Sequence, residues 1–159
     1  MKDSFARFLL IPLLTVLISV IIFTQTAKAA PTFSMIQITG VNNPRNVHAA
    51  DMNGDGVKDI IGTAYGTADI YWWEYVAATN SFTPHLVADL FTGSYAVYGA
   101  DLDGDEDMDI IATSANSPGA IRWWENLDDG TSFIEHSITE AFSGASSVQV
   151  MDIDGDEDL

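Results

Sequence analysis

The sequence predicts an all-β fold made of four-stranded antiparallel propeller blades, and three observations carry that expectation. An acid-rich motif recurs about every fifty residues, each interval holds four short β-favouring runs, and nothing beyond the leader shows an apolar stripe at helical spacing. Four short strands per repeat is the arithmetic of a propeller blade, whose closed ring leaves only short protected edges.

Residues 1–29 are set apart from the fold. Lys2 and Arg7 make a positive start, Phe8 to Phe23 is apolar except for Pro12, Thr15 and Ser19, and Ala27-Lys28-Ala29 places small residues at −3 and −1 of a cleavage site. This reads as a secretory signal peptide cut after Ala29. The alternative is an uncleaved membrane anchor, for which the run falls short of the roughly 20 apolar residues of a comfortable span. Either reading places the remainder outside the cytoplasm, secreted or at the cell surface, with membrane contact only if the leader stays.

The chain has 159 residues, 6 Lys or Arg, 23 Asp or Glu, a formal charge of −17 and no cysteine. That excludes a disulfide scaffold, a thiolate metal site and a thiol nucleophile. The length suits one compact domain rather than a two-domain enzyme. Without the leader, 3 basic residues face 22 acids over 130 positions. Nucleic acid is not the expected partner, because phosphate contact needs clustered Lys and Arg. Cations are.

The repeat divides the rest. Residues 30–46 read as the tail of a preceding unit, with Phe33 aligned to Phe82 and Phe133; 47–96 and 97–147 are full repeats; 148–159 is a truncated third. Asp51 to Ile61 returns as Asp101 to Ile111, offset by 50, and a third copy starts at Asp152, offset by 51. Trp72-Trp73-Glu74 returns as Trp123-Trp124-Glu125, so the extra residue falls near Tyr65-Gly66 and Ser117-Pro118-Gly119, a turn. Strands are expected at 47–50, 60–64, 70–74 and 82–87, and again at 97–100, 110–113, 121–125 and 133–138. About two and a half blades make an incomplete ring, since rings need about four to eight. The third loop stops before its ninth position, so the chain reads as the amino-terminal fragment of a longer protein. Self-association to complete the ring is the alternative.

The acidic loops are where chemistry is assigned. Asp51, Asn53, Asp55 and Asp59, with the carbonyl of Val57, offer oxygen at positions 1, 3, 5, 9 and 7 of a tight loop. Asp101, Asp103, Asp105 and Asp109, with the carbonyl of Asp107, repeat the pattern, and Asp152, Asp154, Asp156 and Asp158 begin it again. Hard oxygens at this spacing suit Ca2+, which takes six to eight ligands at flexible geometry, better than Mg2+. The plainer alternative, solvated Asp and Asn-Gly turns, needs only one or two such residues per corner. An EF-hand is disfavoured: Gly62 and Ala112 stand where its bidentate Glu belongs, and Ile-Ile follows each loop instead of a helix. Gly54, Gly104 and Gly155 at position 4 are expected to supply the bend.

The segments 47–61 and 97–111, the Trp-Trp-Glu runs and the Phe-x-x-His pairs at 82–85 and 133–136 resemble the FG-GAP or VCBS-type repeat, the blade unit of integrin α-subunit-like propellers. The resemblance implies calcium in the Asp-rich loop of each blade. Asn53 in place of Asp and the shortened third loop depart from it. It implies a non-catalytic scaffold or an adhesion or recognition module with a protein or glycan ligand; a lectin, or the accessory domain of a secreted enzyme, is the alternative. One Trp of each pair is expected to pack between blades, the lectin reading making the pair a sugar platform tested at Trp124. His85 and His136 recur together and are read as structural, His48 has no repeat partner, and no hydrolase, metalloprotease or phosphate-binding motif points to catalysis.

Overall fold

The computed structural model describes residues 35–156 and Leu159. The leader, Phe33, Glu157 and Asp158 lie outside the described residues. Eight strands are present: β1 Pro44–Ala50, β2 Asp59–Ala64, β3 Asp69–Val76, β4 Ser81–Ala88, β5 Ser94–Ala100, β6 Asp109–Ser114, β7 Ile121–Asn126 and β8 Phe133–Thr139. They form two antiparallel sheets, ordered β1-β2-β3-β4 and β5-β6-β7-β8. All eight expected strands are found, and no helix occurs among the described residues, so none there is long and apolar enough to cross a membrane. The strands run past their apolar cores because ladder pairing recruits end residues such as Asp59 and Asp109, opposite Ala50 and Ala100.

The two sheets repeat each other in detail. Ile61 stands opposite Trp72 and Ile111 opposite Trp123. Register shifts between Pro44 and Val47 and between Ile70 and Tyr71 recur between Ser94 and Val97 and between Ile121 and Arg122. A bulge adds local twist, so the same irregularities give both sheets the same curvature. The change of offset falls between β6 and β7, in a turn with a cis Ser117–Pro118 bond.

Side chains alternate across a strand, so adjacent tryptophans part company. Trp72, with Met52, Ile61 and Ile70, meets Val97, Ile110, Ala112 and Trp124 of the second sheet in one core. Each such side chain contributes about 1.5–3 kcal/mol on burial. Trp73 faces the other way yet is also buried, beside Tyr71 and in a cleft bordered by Ile38, Val41 and Val47. Trp123 is half-buried on the far face of the second sheet, in a groove of about 380 Å³ bordered by Leu102, Ile111, Val150 and Met151. Leu102, Ile111 and Trp123 are the repeat counterparts of Met52, Ile61 and Trp72, so the third unit begins over the face that the second covers in the first. Its residues 148–151, counterparts of the end of β5, are not a strand. A lone segment has no ladder to join.

The two sheets pack tightly where Gly99 meets Ile61. A Cβ on Gly99 would lie 2.6 Å from Ile61 Cδ1 and 3.0 Å from Ala50 Cβ. The outer edges carry different devices: β4 holds Pro84, which has no N–H to offer, and β8 has Glu135 at the equivalent place.

Candidate metal centre

The first loop joins β1 to β2 and the second joins β5 to β6. Each of the first two corners holds two left-handed residues. Gly54 and Gly56 have φ of +68° and +83°, Gly104 and Glu106 of +82° and +78°, and Gly155 of +83°. Position 4 is left-handed in all three loops, as expected, and in the first two position 6 shares the bend with it. Glu106 holds a conformation that costs a non-glycine residue about 1–2 kcal/mol.

The first acid of each loop wraps the chain around itself. Asp101 Oδ1 accepts the N–H of Gly104 at 2.7 Å, and its Oδ2 accepts that of Glu106 at 3.0 Å. Asp51 accepts from Asp55 at 3.1 Å and Gly56 at 2.8 Å, and Asp152 from Gly155 at 2.6 Å. Asn53 Oδ1 also accepts from Asp55, at 3.3 Å. Asp55 and Asp105 turn one oxygen back to the N–H of Val57 and Asp107.

The ninth acid ties the loop to the sheet. Asp59 accepts from Met52 N–H at 3.0 Å and Tyr75 N–H at 2.8 Å, and Asp109 from Leu102 and Asn126 N–H, both at 2.8 Å. Both carboxylates are fully buried. Burial pushes the Asp109 carboxyl up to about 6, against the two N–H donors and with help from Asp103 and Asp105. Burial likewise raises Asp59, opposed by its own two donors. Desolvation and then repulsion from Asp105 raise Asp103 and Asp107. A carboxyl raised by its neighbours and its surroundings is one that a cation would relieve.

Oxygens of Asp101, Asp103 and Asp109 all lie within 4.8 Å of one another, as do those of Asp152, Asp154 and Asp156. Calcium–oxygen bonds of about 2.3–2.6 Å put any two ligand oxygens at most about 5 Å apart, so both groups fit inside one coordination shell. At that separation each ionised pair repels by roughly 3 kcal/mol at an effective dielectric of 20. The first loop differs in chemistry: Asn53 stands at the place of Asp103, so it has one carboxylate fewer to bring to the ion. Asp105 is outside the gathered set of the second loop. Val57 is exposed and Asp107 half-buried beside the loop.

A family model described as an FG-GAP-like repeat matches residues 51–112 and again 101–159. The chain belongs to the FG-GAP-like repeat family. Each match runs from one acidic loop through the next, so the loops are the landmarks of the FG-GAP-like unit here. Comparison with curated proteins and with solved structures finds no significant match.

Around the FG-GAP-like loops lie side chains that the repeat pattern did not single out. Asn126 is fully buried between the two corners, and Asp129 sits beside Gly54, its Oδ1 3.6 Å from where a Cβ would be. The available signal was a break in the repeat, since Tyr75 is the counterpart of Asn126. His85 stacks on Trp72 with ring centroids 4.2 Å apart and contacts Glu74 at 3.2 Å; His136 stacks on Trp123 at 4.4 Å and contacts Glu125 at 2.7 Å. His48 packs on Tyr98, centroids 4.1 Å apart. Trp124, on which the sugar-platform test depended, is 2 % exposed and sealed between the sheets.

Proposed function

We propose that this chain is a calcium-binding propeller module of a secreted or cell-surface protein, acting as a non-catalytic scaffold or recognition domain. The observation that carries the reading is the convergence of Asp101, Asp103 and Asp109 oxygens at one corner of a blade. Asp51, Asn53 and Asp59 would hold the ion in the first loop, Asp101, Asp103 and Asp109 in the second, and Asp152, Asp154 and Asp156 in the third. Bound calcium supplies charge neutralisation, which turns a self-repelling corner into a cross-link between successive strands. The net charge of −17 also favours cation capture over anionic partners.

Isothermal titration of the chelator-stripped chain with calcium chloride tests this. Dissociation constants of about 10⁻⁴ to 10⁻³ M are expected, the range of extracellular modules. Calcium at 10 mM then stabilises the fold by about 1.4–2.7 kcal/mol per site. Asp103→Ala should abolish the second-loop site. No binding heat and no change in melting temperature would defeat the reading.

A further inference from the structure

The two complete loops are joined by one side chain. Asn126 Nδ2 donates to the carbonyl of Met52, in the first loop, at 3.1 Å and to that of Met108, in the second, at 3.2 Å. Its Oδ1 accepts the N–H of Gly130 at 2.8 Å, and its own N–H goes to Asp109 Oδ1 at 2.8 Å. Two carbonyls on one end and an N–H on the other leave a single amide orientation that satisfies the group. Asn126 is fully buried, so none of these bonds is exchanged cheaply for water.

The link passes from acid to acid. Asp109 holds the backbone of Asn126, the Asn126 amide holds the Met52 peptide, and Met52 N–H is bonded to Asp59 Oδ2 at 3.0 Å. The ninth acids of both loops therefore share one buried chain of hydrogen bonds. The first unit has no such residue. Tyr75, the counterpart, keeps the backbone bond to Asp59 but sends its hydroxyl to Asn80 within its own hairpin.

The loops also differ in charge. The second gathers three carboxylates, Asp101, Asp103 and Asp109, whereas the first has the neutral amide of Asn53 where the second has Asp103. A loop with one carboxylate fewer attracts the ion less and gains more from a neighbour that holds it in shape. The turn between β7 and β8 supplies that neighbour: Asn126 opens it, and Gly130 within it accepts from Trp72 Nε1 beside the first loop.

We infer that Asn126 couples the two acidic loops, so that calcium held in the second loop raises the affinity of the first. The inference rests on the calcium reading above and adds direction and cooperativity to it. With the second loop loaded, Asp109 is fixed, Asn126 stays seated, and the Met52 peptide that frames the first loop is held. By linkage, the first loop strengthens the second by the same factor.

The test uses the full chain with Asp152→Asn to silence the third loop, calcium chloride as the only ligand, and titration calorimetry as the readout. Asp101→Asn, which disables the second loop, should weaken the first by about tenfold. In an Asn126→Ala background the same change should alter it less than twofold. An affinity at the first loop that ignores Asp101→Asn overturns the inference even if Asn126→Ala does not fold, because that comparison keeps Asn126. Coupling that survives Asn126→Ala also overturns it. Two independent binding events leave the calcium reading standing and defeat only the coupling, while no heat in the unmutated chain defeats both.

Discussion

The indole N–H of Trp72 donates to the carbonyl of Gly130 at 3.1 Å, across 58 residues of sequence and from one sheet to the other. The contact forbids a side chain at 130. Gly130 has φ +79°, and a Cβ there would lie 2.7 Å from Trp72 Cζ2 and 3.1 Å from the Met52 carbonyl.

Gly130→Ala should therefore destabilise the fold by about 2–4 kcal/mol, the sum of a left-handed alanine and an overpacked contact. Gly40→Ala is the control: φ is +85° but nothing lies within 4 Å of the added atom, so only the backbone part, about 1–2 kcal/mol, should appear. Urea denaturation of both variants measures the difference. Equal losses would mean that the seat on Trp72 contributes nothing.

The approach of Gly99 to Ile61 makes a compensating pair. Gly99→Ala should cost about 1–3 kcal/mol by driving a methyl into Ile61 Cδ1. Ile61→Val removes that atom, so the double variant should be more stable than the sum of the single losses predicts. Relief should be partial, because Ala50 Cβ also crowds the position at 3.0 Å. Strict additivity in denaturation experiments would contradict this packing of sheet on sheet.

Acid should act in opposite senses on the ion-free and calcium-loaded chains. The folded Asp109 carboxyl titrates near 6, above its ordinary 3.8, so its ionisation opposes folding fully above pH 6 and ceases to do so as pH falls toward 3.8. The cost is about 3 kcal/mol. Asp59 acts in the same direction. His48, held below its ordinary value by burial and then by Lys58, acts the other way, losing stability as pH drops through 6.5. Glu140 does not enter this window, because Arg122 holds it down to about 2 and its contribution is lost between its ordinary 4.5 and that value, below pH 5. In chelator, the melting temperature should rise from pH 7 to pH 5, and the rise should shrink in Asp109→Asn. With 10 mM calcium the slope should reverse, since protons then compete with the ion. A chelator-treated chain that loses stability over this range would contradict the assignment.

The strands were legible because Ile-Ile, Trp-Trp-Glu and Phe-x-x-His recur at fixed offsets, and periodicity survives without knowledge of contacts. The acidic corners were legible for the same reason. The roles within them were not: Asp59 and Asp109 look like any other odd-numbered acid, yet both are spoken for by two backbone N–H groups. Glu106 in a left-handed conformation contradicts its own propensity, since the fold of the corner overrides it. Asn126 bonds Met52 across 74 residues, a distance at which local pattern carries no information. Reading repeats for what they share hid the position where they differ.

The outer strands β4 and β8 present unpaired backbone to solvent, and one carries Pro84 while the other carries Glu135. A fold assembled from identical ribbons is under constant invitation to keep adding ribbons, including those of other molecules. Pro84 withholds an N–H from the ladder, and Glu135, paired with Arg122 at 3.0 Å, sets a salt bridge on the other edge, so a crowd of these chains meets two unlike obstacles to growing into fibres.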